Sequence, residues 1–212
     1  GRRRSILTAL LERWRDLAGP ESDALGEALI RAWGEAQRHY HDQGHLIWLL
    51  DEAERRSALI RDPVFVGYAI WFHDAVYEPG RPDNEQVSAD WARQSLTHDP
   101  ALAERVGRVI EQTKKHNEGD AEGDAALFLD MDVAILGEPW EAYCRYAAGV
   151  RREFSMYPDG AFAAGRGRFL EQQLEHARTF RTDLYETERG EQARANMRWE
   201  LEEMRRGRMV KG

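Results

Sequence analysis

The spacing of apolar residues predicts helices along almost the whole chain. Between Leu102 and Thr113, apolar positions recur at intervals of three and four residues, as they do on one face of an α-helix. The same spacing begins again at Leu25, Leu46, Trp140, Phe169 and Ala193. This pattern is typical of an all-α chain whose outer helices have one buried face.

One segment, Val64 to Phe72, is apolar on every side and rich in Val, Phe and Tyr. It lacks the strict alternation of a half-buried strand, and the chain offers no second strand-like run to pair with it. We therefore predict a buried helix, which Asp62 and Pro63 would begin as N-cap and first residue. The run from Asp83 to Gln86 resembles a capping box at the start of the next helix.

These elements add up to a single helical domain of about ten helices over residues 1–212. We expect its central part, about 38–137, to carry the chemistry, with C-terminal helices at 139–206 packing on it. A content of 42% hydrophobic and 32% charged residues supports a folded core.

The net charge of −8 disfavours a nucleic-acid partner. No apolar stretch reaches the roughly 18 residues that a membrane span needs, so no membrane partner is expected. A single cysteine, Cys144, makes no internal disulfide and suits a cytoplasmic protein. The sequence leaves the oligomeric state open.

Candidate chemistry lies at the end of the apolar segment, where His73 and Asp74 follow Phe72 directly. An imidazole or a carboxylate beside such a segment needs a partner or a metal ion. His45 upstream and Asp132 downstream also lie next to apolar segments. Two imidazoles and two carboxylates would suit one divalent ion, which we expect to be Mn, Fe, Co, Ni, Mg or Zn.

Two other motifs point less clearly to chemistry. His41 and His45 have the spacing of a metalloprotease helix, but Asp42 is shorter than the glutamate base of such enzymes. Asp42 is also a good N-cap for a helix that begins at Gln43. A second His-Asp pair, His98-Asp99, precedes a proline, and we interpret Asp99 as an N-cap.

Several segments together resemble the HD superfamily of metal-dependent phosphohydrolases, and most closely a bacterial subgroup described as predicted HD phosphohydrolases. The resemblance runs from about residue 38 to 170. It rests on residues 38–45 (RHYHDQGH), 71–77 (WFHDAVY), 83–85 (DNE), Ser88-Ala89, 128–137 (FLDMDVAILG) and 165–170 (GRGRFL).

This resemblance implies an HD-type helical bundle in which four residues bind the metal. The implied ligands are His45, His73, Asp74 and Asp132. Asp130 is two residues from Asp132, so on a helix their side chains point apart. The family's last ligand precedes a Val-Ala-Ile-Leu run, and this favours Asp132.

The implied activity is hydrolysis of a small phosphorylated molecule, with a nucleotide as one candidate. The metal would activate a water, and Asp74 would be both ligand and proton acceptor. Arg38 or Lys114 would hold the phosphate. His116 would contact the substrate phosphate, or join His41 as a ligand of a second metal.

Two other functions are compatible with this resemblance. HD-type sites with two irons can support oxygenation, and a metal site of this kind can also bind a nucleotide without turnover. A strongly absorbing aerobic protein would indicate the first, and binding without hydrolysis would indicate the second.

Overall fold

The computed structural model describes residues 2–211, with side chains from residue 6 onward. Within these residues every regular element is a helix or a helical turn, and no strand occurs. Ten of the described helices are at least ten residues long. The prediction of an all-α fold with about ten helices is therefore confirmed.

The chain forms two compact units, one ending at Lys114 and the other beginning at Lys115. Six helices make up the first unit: α1 (Arg2–Ala18), α2 (Asp23–Trp33), α3 (Gln43–Arg55), α4 (Pro63–Phe72), α5 (Asn84–Ser95) and α6 (Pro100–Gln112). The predicted assignment of the chemistry to residues 38–137 stays a prediction.

Helix α4 is the core of the first unit, as its composition predicts. Seven of its residues are buried, and its neighbours are α1, α3, α5 and α6. Trp14 of α1 packs edge-on against Trp71, with ring centroids 5.3 Å apart. Because α4 is apolar all round, it is stable only where other helices surround it.

The second unit contains α7 (Gly123–Val133), α8 (Trp140–Glu153), α9 (Asp159–Glu175), the single turn α10 (Asp183–Tyr185) and α11 (Glu191–Arg205). Helix α11 packs against α9 and against the turn Ala134–Gly137. The helical spacing that begins at Ala193 continues at Met197, Leu201 and Met204, and all four residues are buried. Gly137 allows close packing, because a Cβ there would lie 2.7 Å from the Arg189 carbonyl oxygen.

The predicted N-caps are confirmed at three helices, and at a fourth the predicted residue lies at the N-cap position without a capping hydrogen bond. Asp42, Asp62 and Asp99 each accept hydrogen bonds from backbone N–H groups of α3, α4 and α6. Asp83 precedes α5 but makes no such bond, because its carboxylate pairs with Arg81 Nε at 2.5 Å. The capping box predicted there does not form.

None of the helices within residues 2–211 combines the length and the apolar character that crossing a bilayer requires.

Candidate metal centre

His45 lies in the first turn of α3, and the start of that helix sets its position. Asp42 accepts hydrogen bonds from the backbone N–H groups of Gly44 at 2.9 Å and of His45 at 3.4 Å. The imidazole of His45 is buried, with its ring centroid 5.6 Å from that of His73. The N-cap therefore fixes the backbone from which this imidazole reaches His73.

His73 directly follows α4, and a hydrogen bond determines which nitrogen of its ring carries the hydrogen. Its Nδ1 lies 2.8 Å from the carbonyl oxygen of Ile70. Since a carbonyl only accepts, Nδ1 carries the hydrogen, and the Nε2 lone pair of the neutral ring is available as a ligand. A hydrogen bond of this kind commonly orients metal-binding histidines.

Asp74 faces the other side of the same ring, with its Oδ2 3.2 Å from His73 Nε2. A lone pair and a carboxylate oxygen repel each other at this distance. Either a proton on Nε2 or a metal cation shared by both atoms would turn the contact into an attraction. This pair is thus arranged to bind positive charge.

Arg38 fixes the turn that carries Asp74. Its Nη1 donates to the carbonyl oxygens of Asp74 at 2.7 Å and of His41 at 2.9 Å. Its Nη2 donates to Ala75 O at 3.0 Å and to Glu35 Oε1 at 3.1 Å. The side chain is 0% exposed. Arg38 therefore supports the backbone of this turn, and its predicted contact with a phosphate stays a prediction.

The chain after this turn is held by two polar residues of α5. The hydroxyl of Ser88 accepts from the Val76 N–H at 3.0 Å and donates to the Val76 carbonyl at 3.1 Å. The amide of Asn84 makes the same pair of bonds with the backbone of Glu78, at 3.1 and 2.8 Å. Both residues belong to motifs that carry the resemblance, and the sequence alone did not assign them this supporting role.

Asp132 lies near the end of α7 and pairs with His116. His116 Nε2 is 2.7 Å from Asp132 Oδ2, a hydrogen bond in which the ring donates to the carboxylate. The Asp132 side chain is 9% exposed and that of His116 is 19% exposed. His116 thus orients a candidate ligand; its predicted contact with a phosphate stays a prediction.

Asp130 points elsewhere, as its spacing from Asp132 predicts. Its carboxylate accepts from the backbone N–H groups of Arg181 at 2.8 Å and of Thr182 at 2.7 Å. The Thr182 hydroxyl donates to it as well, at 2.7 Å. Burial raises the pKa of the Asp130 carboxyl, and these hydrogen bonds act in the opposite direction.

Four ligand atoms from the described residues lie within 4.8 Å of one another. They come from His45, His73, Asp74 and Asp132. Metal–nitrogen and metal–oxygen bonds of about 2.0–2.2 Å place ligands on opposite sides of an ion a little over 4 Å apart. The group can therefore bind a metal ion, and its members are the four that the sequence predicts.

The remaining predicted residues are not members of this group. The His41 ring lies on the Tyr77 ring, with centroids 4.3 Å apart, and 6.0 Å from the ring of His45. Lys114 Nζ donates to the carbonyl oxygen of Pro82 at 2.7 Å. A phosphate contact by Lys114 and a second metal at His41 stay predictions.

Comparison of the chain with protein-family models, with curated proteins and with solved structures finds no match in any of the three.

Proposed function

We propose that this protein is a metal-dependent hydrolase of a small phosphorylated molecule. The observation that carries the proposal is the convergence of four nitrogen and oxygen ligand atoms within 4.8 Å, two from imidazoles and two from carboxylates. Its resemblance to HD phosphohydrolases, which places metal ligands at the same four positions, provides the reaction class.

The donor set favours a divalent ion with a preference for nitrogen and oxygen ligands. Mn, Fe, Co, Ni, Mg and Zn all accept such donors. Four protein ligands leave positions open on a six-coordinate ion, and catalysis by metals depends on such open positions. Since Cys144 is the sole cysteine, a closed structural zinc site built from several thiolates is excluded.

A bound ion would supply two effects, a lower pKa for water and charge for a phosphoryl oxygen. The chain would supply orientation and proton transfer. The Nδ1–H bond to Ile70 aims Nε2 of His73, and Arg38 holds the backbone of Asp74. Asp74 Oδ2 would accept the proton released by the attacking water.

His116 has a second role in this proposal. Its ring nitrogen is 2.7 Å from Asp132 Oδ2. By donating to this oxygen it would hold the carboxylate in one orientation, as carboxylate and imidazole pairs do around many metal sites. The contact with Asp132 also accounts for this ring without a second metal, which makes the di-iron alternative less favoured.

The test begins with metal binding, because the chain offers a matched control. His73→Ala removes a proposed ligand, while His98→Ala removes the histidine of the other His-Asp pair. Asp99 there caps α6 through a hydrogen bond to Leu102 N at 3.1 Å, and His98 is exposed. We expect the wild type and His98→Ala to retain one metal equivalent per chain and His73→Ala to lose it.

Activity is then measured with the metal-reloaded protein on a panel of phosphomonoesters, phosphodiesters and nucleotides. We expect hydrolysis by the wild type and His98→Ala, and none by His73→Ala. Tight metal binding without hydrolysis of any member would contradict the hydrolase proposal. Nucleotide binding without turnover would instead support the non-catalytic function.

A further inference from the structure

Arg181 uses its whole guanidinium group on one stretch of backbone in the second unit. Its Nε donates to the carbonyl oxygen of His116 at 2.6 Å. Its Nη1 donates to Gly119 O at 3.2 Å, and its Nη2 donates to Glu118 O. One side chain thus binds three carbonyl groups in the loop that carries His116.

The backbone of Arg181 is itself anchored to α7. Its N–H donates to Asp130 Oδ1, and the N–H and hydroxyl of Thr182 both donate to Asp130 Oδ2, all within 2.8 Å. Asp130 is 2% exposed. A buried carboxylate that accepts three hydrogen bonds strongly restrains the residues that donate them.

These contacts form a series of hydrogen bonds that connects one residue of α7, Asp130, with another, Asp132. Asp130 and Asp132 lie about 200° apart around the helix axis, so they face opposite ways. Asp130 holds the backbone of Arg181, and the side chain of Arg181 holds the backbone of His116. The His116 ring then returns to Asp132.

We propose that Arg181, anchored by Asp130, is a positioning residue for the metal centre. It fixes the backbone of His116, so that the ring of His116 holds the Asp132 carboxylate in the orientation a metal needs. A ligand held before the ion arrives loses less conformational freedom on binding, which raises affinity. This inference rests on the proposed function, because it takes Asp132 to be a ligand.

The second unit contains a matched arginine that makes the same kind of contact elsewhere. Arg194 donates from Nη1 to the His176 carbonyl at 2.8 Å and from Nη2 to the Leu174 carbonyl at 3.0 Å. These carbonyls belong to the end of α9, and neither residue is in the ligand group. Arg194 therefore controls for the loss of arginine–carbonyl bonds in general.

The experiment compares Arg181→Met with Arg194→Met in the full chain. Mn²⁺ affinity is measured by calorimetry at a temperature where both variants are folded, and the Tm of each is measured in chelator. Both changes should lower the Tm. Removing supports behind metal ligands typically costs about 10–100-fold in metal affinity, and we expect this loss for Arg181→Met only.

Two further variants separate positioning from stability and replace Arg181→Met if it does not fold. Arg181→Lys keeps the charge but can reach fewer carbonyls, so its affinity should lie between those of the wild type and Arg181→Met. Asp130→Asn keeps the shape but places an amide group against the N–H donors, so it should also weaken Mn²⁺ binding.

The outcomes separate the positioning role of Arg181 from the existence of the metal centre. Should the wild type fail to bind Mn²⁺, the metal centre itself is wrong and the positioning role falls with it. Should the wild type bind while Arg181→Met and Asp130→Asn bind equally well, the metal centre stands and Arg181 only stabilises the fold.

Discussion

Two polar clusters in this molecule differ in how positive and negative side chains are combined. In the second unit, Arg166 donates from Nε and Nη2 to Glu200, at 2.9 and 3.0 Å, and from Nη1 to the hydroxyl of Tyr146 at 3.0 Å. Tyr143 donates its hydroxyl to Glu200 as well. Arg166 and Glu200 thus form a buried ion pair, and each of the two tyrosine hydroxyls binds one of its charged groups.

The ligand group has a different composition. Two carboxylates and two imidazoles converge there. With neutral imidazoles the set carries two negative charges, which makes it suited to a divalent cation. Burial of polar groups alone therefore does not identify an ion site: Glu200 has its cation directly beside it, whereas the charges of the four ligand candidates are suited to binding an ion.

The largest effect on stability is expected from breaking the ion pair between Arg166 and Glu200. Arg166→Met leaves the Glu200 carboxylate buried without its cation, which typically costs about 3–5 kcal/mol in the free energy of unfolding. Mn²⁺ binding at a temperature below the Tm should be unchanged. Urea unfolding and calorimetry measure the two quantities.

A double change serves as the control for this prediction. Arg166→Met with Glu200→Gln removes both charges, so much of the lost stability should return. If Arg166→Met abolished Mn²⁺ binding in the folded protein, the two clusters could not be separated as structural and functional.

The next largest effect on stability is expected when a metal ion binds to the ligand group. Metal that binds only the folded state raises stability by about 2.7 kcal/mol when its free concentration is 100 times the Kd. The Tm of the wild type and of His98→Ala should therefore rise with Mn²⁺ and fall again with chelator. An equal rise in His73→Ala would mean that the metal binds elsewhere.

The next prediction concerns Arg38, because a backbone support and a phosphate contact would affect Mn²⁺ binding differently. Its contacts with the carbonyls of Asp74 and Ala75 predict that Arg38→Met weakens Mn²⁺ binding by about 10–100-fold. A phosphate contact would instead leave Mn²⁺ affinity intact and raise the KM for the substrate. Parallel measurements of the Mn²⁺ Kd and of KM decide between the two roles.

The smallest effect is expected where opposite charges meet in solvent. Arg105 lies 2.8 Å from Asp62, and both side chains are at least a third exposed. Asp62→Asn keeps an oxygen to cap α4 but removes the charge, so the loss at neutral pH should be under about 1 kcal/mol.

This pair also predicts a pH dependence with a definite sign. The hydrogen bond from Arg105 lowers the pKa of Asp62 below its ordinary value of 3.8. The contribution of the charge is therefore complete above 3.8 and is lost as the pH falls through the lower pKa of the folded protein. Unfolding of the wild type and Asp62→Asn should converge at acid pH; a constant difference would contradict the ion pair.

Sequence patterns predict the helices well because helices depend on local features, and they mark each ligand candidate by its place beside an apolar segment. The apolar composition of α4 requires burial, and Asp42 followed by Gln43 marks the start of α3. His73 and Asp74 are recognisable because ligand-type side chains follow an apolar helix directly. The capping box at Asp83 fails because the sequence does not show that Arg81 takes the carboxylate.

The supports of the site are much harder to predict, because they depend on contacts between distant residues. Arg38 follows a typical position for a phosphate contact, but its bonds go to carbonyls 36 and 37 residues away. Arg181 binds the carbonyl of a residue 65 positions earlier. Backbone acceptors have no sequence signature, so only the folded chain identifies these arginines.

A crystal grown with Mn²⁺ would show whether the four side chains of the ligand group bind one cation. The anomalous difference map should contain one strong peak about 2.0–2.3 Å from a ring nitrogen of His45, from His73 Nε2 and from carboxylate oxygens of Asp74 and Asp132. A map without a peak there, or with a peak within bonding distance of only one or two of these residues, would mean that the four side chains do not share an ion.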